Sequence, residues 1–160
     1  MKKGFTLIEL IVVIAIIGIL MQIVVANMNQ ARQKSRDGKR ISDVSQLQLV
    51  LELYFDRCNR YPTSLNSLTS TVSCGGTTVG PFTNTLPHPP AGSAEANYLY
   101  RPLGSGGVCS GYHLGATLEL NNQRGPLGDD ADSGPDTVCS GSADFNGDDS
   151  DQTPIYDVKP

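Results

Sequence analysis

Four groups of residues in this 160-residue chain have types and spacings able to do chemistry. The first is cysteine. Cys58, Cys74, Cys109 and Cys139 are an even number with no C-x-x-C spacing, which argues against a zinc or dithiol centre and for disulfides in an oxidising compartment. Three pairings are open. The sequence-neighbour set, Cys58–Cys74 and Cys109–Cys139, closes the shortest loops, and buried free thiols are the alternative. The second group is "DFNGDDSD", which sets Asp144, Asn146, Asp148 and Asp151 at positions 1, 3, 5 and 8. Oxygen ligands at alternate positions of a tight loop suit Ca²⁺. The loop is not an EF-hand, because Asp149 stands at the glycine position and no Glu follows at position 12. Residues 128–151 hold eight Asp and no Lys or Arg, so a bound cation or plain solvation must relieve their repulsion. The third group is His88 and His113, the only histidines, neither with a catalytic partner in view. The fourth is one carboxylate, Glu9, set inside an apolar run, where an acid is costly and usually functional.

The run around Glu9 covers residues 5–26 and is polar only at Thr6, Glu9 and Gln22. As a helix it spans roughly 33 Å at ~1.5 Å per residue, close to the ~30 Å core of a bilayer. Lipid forces a helix on it, since each backbone group must be satisfied internally. A secretory signal with "VVA" as its cleavage site and a plain single-span anchor both leave Glu9 unexplained. The helical pattern continues: Val44, Leu47, Leu51, Tyr54 and Cys58 recur at three- and four-residue steps, flanked by Ile41, Gln48 and Phe55. Pro62 stops it near residues 58–60. Residues 63–97, rich in Ser, Thr, Gly and Pro, read as a long loop packed over a sheet. "NYLYRP" is a short strand, and "YHLGATLEL" is the clearest one. Its Tyr112, Leu114, Ala116, Leu118 and Leu120 alternate with His113, Gly115, Thr117 and Glu119. The first set should meet the helix stripe, and His113 should face solvent. "GSGG" is the hairpin loop between these strands, and "PIYDV" adds a third.

Charge is uneven. Residues 1–40 carry seven Lys/Arg against Glu9 and Asp37, whereas residues 41–160 carry five against fourteen acids. An acidic exposed domain argues against specific nucleic-acid binding, which needs cations facing phosphates. The basic residues Arg32, Lys34, Arg36, Lys39 and Arg40 read as a solvated collar near lipid headgroups, or as partners for acidic domains of neighbouring subunits. Counted alone, they would place the C-terminal side of the span in the cytoplasm.

"KGFTLIELIVVIAIIGIL" resembles the N-terminus of type IV pilins and of the pseudopilins of type II secretion. "DVSQL", Tyr54 and "NRYPT" extend the likeness over roughly residues 1–68 and favour the major-pseudopilin subgroup. The resemblance implies a leader, residues 1–4, cut by a prepilin peptidase between Gly4 and Phe5, with methylation of the new Phe5 amine. It also implies that Glu9, one helical turn from that amine, pairs with it within one chain or across subunits and sets assembly register. A Pro common in the family is replaced by Ala26, which removes one helix-breaking signal. The family's orientation keeps the leader cytoplasmic and exports the bulk, against the charge count.

The expected fold class is therefore α+β and type IV pilin-like: one long N-terminal helix, its first half transmembrane, packed on a small antiparallel β-sheet. Residues 5–26 form the membrane and filament-core helix, 27–60 its amphipathic continuation, and 61–160 an extracytoplasmic domain ending in the acidic loop. The expected function is a non-enzymatic filament subunit, a homo-oligomer that leaves membrane lipid on assembly. Its implied partners are the prepilin peptidase, an inner-membrane platform protein and an assembly ATPase. No cofactor is required, with Ca²⁺ the one candidate. Type II secretion, a surface pilus for adhesion, motility or DNA uptake, and a secreted or anchored binding module are the three readings carried forward.

Overall fold

The computed structural model describes residues 4, 6–91, 95–120, 130–132, 134–147 and 154–160. They fall into two units, Met1–Ser35 and Arg36–Pro160. Helix α1, Leu7–Cys58, begins in the first and ends in the second. In the first unit its large apolar side chains are exposed, among them Leu10, Ile14, Ile17 and Leu20. Among the described residues no single helix is long and apolar enough to cross a membrane, while Leu7–Gln22 and Asn27–Cys58 together pass on length and composition.

In the second unit α1 buries Val44, Leu47, Leu51 and Tyr54, the stripe that the three- and four-residue spacing predicts. The helix closes at Asn59, whose φ of 50° is the left-handed conformation that Asn tolerates just past a helix end. A 3₁₀ turn, Leu65–Thr69, follows and buries Leu68. Strands β1, Val72–Cys74, and β2, Thr77–Val79, then form a small antiparallel hairpin. This hairpin departs from the loop expected over residues 63–97. Its turn is Gly75-Gly76, both at positive φ, the two-residue chemistry that matches strand twist.

The main sheet has the order β3-β4-β5 and is antiparallel throughout. Strand β3 is Leu99–Ser105, β4 is Val108–Thr117 and β5 is Ile155–Val158. One face of β4 carries Tyr112, Leu114 and Ala116 into the core with α1, as alternation predicts. The other face is a correction: His113 and Gly115 are buried as well. The reason is the C-terminal segment, which returns as β5 and lays Phe145 against this second face.

Five tyrosines, Tyr54, Tyr61, Tyr98, Tyr100 and Tyr112, stand in the core where large aliphatic side chains are few. Buried hydroxyls need partners. Tyr98 donates to Asp43 Oδ2 at 2.7 Å, Tyr100 to the Pro62 carbonyl at 2.6 Å and Tyr61 to Glu52 at 3.0 Å. Burial pushes the Tyr112 hydroxyl up to about 12.

Disulfides join Cys58 to Cys74 and Cys109 to Cys139, with Cα atoms 4.9 and 5.2 Å apart. The first ties the last residue of α1 to β1. The second ties β4 to the segment that bridges β3 at Leu103–Val138. Cross-links of this kind suit a domain with so small an apolar core.

Candidate functional site

The site indicated by the sequence lies at the head of α1. Gly4 is exposed, and Phe5 lies outside the described residues. The first helical residue is Leu7, which makes Thr6 the N-cap and Glu9 the third helical residue. These two side chains satisfy each other's backbone. Glu9 N–H donates to Thr6 Oγ1 at 3.3 Å, and Thr6 N–H donates to Glu9 Oε2 at 2.9 Å. The Thr6 hydroxyl also donates to Oε2, at 2.7 Å. This is a capping box, in which two of the helix's orphan N–H groups find acceptors. The negative charge also sits at the favourable end of the helix dipole. Sequence reasoning passed over it, although "TLIE" is the S/T-x-x-E signature. All three bonds load one oxygen or the hydroxyl, and Glu9 Oε1 accepts no hydrogen bond among the described residues.

The basic run is not the uniformly solvated collar of the sequence expectation. Arg32, Lys34 and Lys39 are exposed, Lys39 pairing with Asp43 one turn along the helix, whereas Arg36 and Arg40 reach Glu119. Glu119, just past β4, receives Arg36 Nε at 2.7 Å, Arg40 Nη2 at 2.7 Å and Arg36 Nη2. Arg40 Nη1 also donates to Asp37, and both are essentially buried. Asp37 in turn accepts the N–H groups of Glu119 and Leu120 at 2.9 and 3.1 Å. Hydrogen bonds from Arg36 are the main reason that the Glu119 carboxyl is held down at about 2, with Arg40 adding to them against the effect of burial. Planar guanidinium forks meet a carboxylate here in the geometry that Arg favours. The clamp fixes residues 36–40 of α1 to the end of β4.

Part of the acidic C-terminal segment packs on the second face of β4. The Asp144 side chain is fully buried, and its oxygens face His113 Nδ1, the Asp136 N–H and the Phe145 N–H. Asp148 and Asp151 lie outside the described residues, and among those described no group of three or more His, Cys, Asp or Glu is arranged to hold a metal ion.

Residues 1–24 match a family model described as the prokaryotic N-terminal methylation motif. The type II secretion system core protein G of Vibrio cholerae serotype O1 is 31% identical over 139 residues, covering 83% of this chain and 90% of that protein. The core protein G of Aeromonas hydrophila is 40% identical over 72 residues, 45% of this chain and 50% of that protein. The core protein G of Escherichia coli strain K12 is 39% identical over 71 residues, 44% and 49%. The chain spans about half the length of these last two relatives. No solved structure matches it. The long helix on a small antiparallel sheet, the N-terminal motif and the coverage of the Vibrio protein lead to one assignment: the chain belongs to the type II secretion system core protein G family of pseudopilins.

Proposed function

We propose that this chain is the structural subunit of a type II secretion pseudopilus. In this reading a prepilin peptidase removes residues 1–4 and methylates the Phe5 amine. Residues 5–26 hold the precursor in the membrane with its N-terminus cytoplasmic and its folded domain outside. Assembly, with a platform protein and an ATPase as indirect partners, then exchanges lipid contacts of α1 for contacts with other copies. The work is done by packing, so neither a catalytic residue nor a cofactor enters the account.

The observation that carries the reading is the methylation motif at residues 1–24 on a chain that covers 90% of the Vibrio core protein G. The Glu9 geometry adds physical support. Its Oε2 serves Thr6 within the chain, so the box does not depend on residues 1–4, and no described residue donates to Oε1. In an apolar surround that oxygen gains most from a charged donor. The Phe5 amine of another copy is such a donor, and pairing with it would select one axial register.

The two disulfides favour a second reading, a surface pilus subunit. Deletion of the gene separates the two. The secretion reading expects exported proteins to accumulate behind the outer barrier while surface pili persist. Loss of surface pili with normal secretion sinks the first reading. Within either, Glu9→Val should block incorporation into filaments, and normal filaments from that variant would remove the register role.

A further inference from the structure

A cleft of about 360 Å³ opens on the second unit between the 3₁₀ turn, the first half of β3 and the residues after Cys139. Its walls are braced by bonds already in place. The Tyr100 hydroxyl holds the Pro62 carbonyl at 2.6 Å, which anchors the chain entering the 3₁₀ turn. The Cys109–Cys139 bridge, with the Cys139 N–H donating to the Pro102 carbonyl at 3.0 Å, anchors residues 140–142. A preformed wall spares a ligand the cost of ordering it.

Arg101 is the one charged residue lining the cleft. Its Nε donates to the Ala143 carbonyl at 3.0 Å and its Nη1 to the Tyr100 carbonyl at 2.8 Å. Both acceptors are neutral, and among the described residues no carboxylate pairs with it. That is unusual company for an arginine in a chain with 16 acids and a net charge of −4. The two carbonyls fix the guanidinium and leave Nη2 for an acceptor from outside. A guanidinium presents its N–H groups as a planar fork that matches a carboxylate.

The polar remainder of the lining is neutral. Ser64, Asn66, Asn97, Ser140 and Ser142 contribute side chains that make no hydrogen bond among the described residues. Ser64 even stands at the N-cap of the 3₁₀ turn without bonding its backbone. Hydroxyl and amide side chains both donate and accept, which is what a polyol requires. Leu86 and Pro87 add an apolar edge for the C–H face of a sugar ring.

We infer that this cleft binds a carboxylated sugar, with the carboxylate on Arg101 and the hydroxyls on the Ser and Asn side chains. A peptide with a free C-terminal carboxylate would meet the same arginine, but five uncommitted side chains that donate and accept favour a polyol. The inference concerns the folded domain alone and stands whether the chain serves secretion or a surface pilus.

The test is an NMR titration of the ¹⁵N-labelled full-length chain in dodecylphosphocholine micelles, a detergent without a sugar headgroup. The probes are galacturonate, glucuronate and mannuronate, their neutral counterparts galactose, glucose and mannose, sodium acetate, and triglycine. The expected result is saturable shifts of the Ser140, Gly141 and Ser142 amides and of the Arg101 Nε–H with at least one uronate. Its neutral counterpart, acetate and triglycine should each bind more weakly. Arg101→Gln should weaken the uronate by about tenfold, the ratio that one hydrogen bond to a charged group supplies. The inference is overturned by the absence of a saturable shift with all three uronates. It is equally overturned by acetate, triglycine or the neutral sugar binding as tightly as the uronate, or by a folded Arg101→Gln that binds it like wild type. Should Arg101→Gln fail to fold, the ranking of probes on wild type decides alone.

Discussion

Glu9 and Thr6 satisfy each other at the head of α1: the Glu9 N–H donates to the Thr6 hydroxyl at 3.3 Å, and the Thr6 N–H donates to the Glu9 carboxylate at 2.9 Å. Glu9 therefore has two separable tasks, a local cap through Oε2 and a proposed contact between copies through Oε1. Replacing Thr6 touches the first task alone.

Thr6→Ala should cost about 1 kcal/mol of local helix stability, the usual penalty for losing an N-cap. Amide exchange in micelles should report faster exchange over the first turn of α1, with filament assembly retained. If Thr6→Ala blocks assembly as Glu9→Val is expected to, the cap rather than a contact between copies is what assembly needs.

The Glu119 clamp predicts an acid-sensitive step. Its carboxyl has an ordinary value of 4.5 and is held at about 2 when folded. A depressed folded value means stability that is fully present above about 4.5 and lost as pH falls towards about 2, on the order of 2–3 kcal/mol in all. Glu119→Gln should lower stability at neutral pH and flatten the melting profile between those limits. A variant whose profile runs parallel to wild type through that window contradicts the clamp.

Reduction should cost the domain more than any single surface change. The disulfides span 16 and 30 residues of sequence, and closing loops of that size is worth roughly 3–4 kcal/mol each in the chain-entropy view. Dithiothreitol should lower the melting point of wild type substantially. Cys109→Ser with Cys139→Ser should lower it in the absence of reductant, leaving a smaller further response from Cys58–Cys74.

Tyr98→Phe removes the hydroxyl that reaches buried Asp43. Hydrogen bonds to charged groups contribute about 1.5–3 kcal/mol. Denaturant melts should show a loss of that size without loss of the fold, because the ring stays in the core. An unchanged midpoint would mean that Lys39 alone satisfies Asp43.

The parts of this fold legible in the sequence are those carried by periodicity and length. Val44, Leu47, Leu51 and Tyr54 announce the buried stripe, and Tyr112, Leu114 and Ala116 announce the core face of β4. His113 was misread because alternation marks a solvent face only when nothing covers it. Its cover is a Gly- and Asp-rich segment without apolar periodicity, held by Phe145 and by backbone donors to Asp144 and Asp157. The Gly75-Gly76 hairpin was missed because its strands are three residues each, too short for a pattern. Arg40 and Glu119 lie 79 positions apart, and no local signal pairs them. At the head of α1 the Thr6 cap is legible as well, in the T-x-x-E spacing of "TLIE".

The central claim is that Phe5 becomes the N-terminus before the chain acts. Intact mass and N-terminal peptide sequencing of the protein taken from its own membranes test it most directly. The account predicts a chain beginning at N-methylated Phe5, with residues 1–4 absent. A chain that keeps Met1 or Lys2 at its start, or one that begins at Asn27 after "VVA", would contradict it.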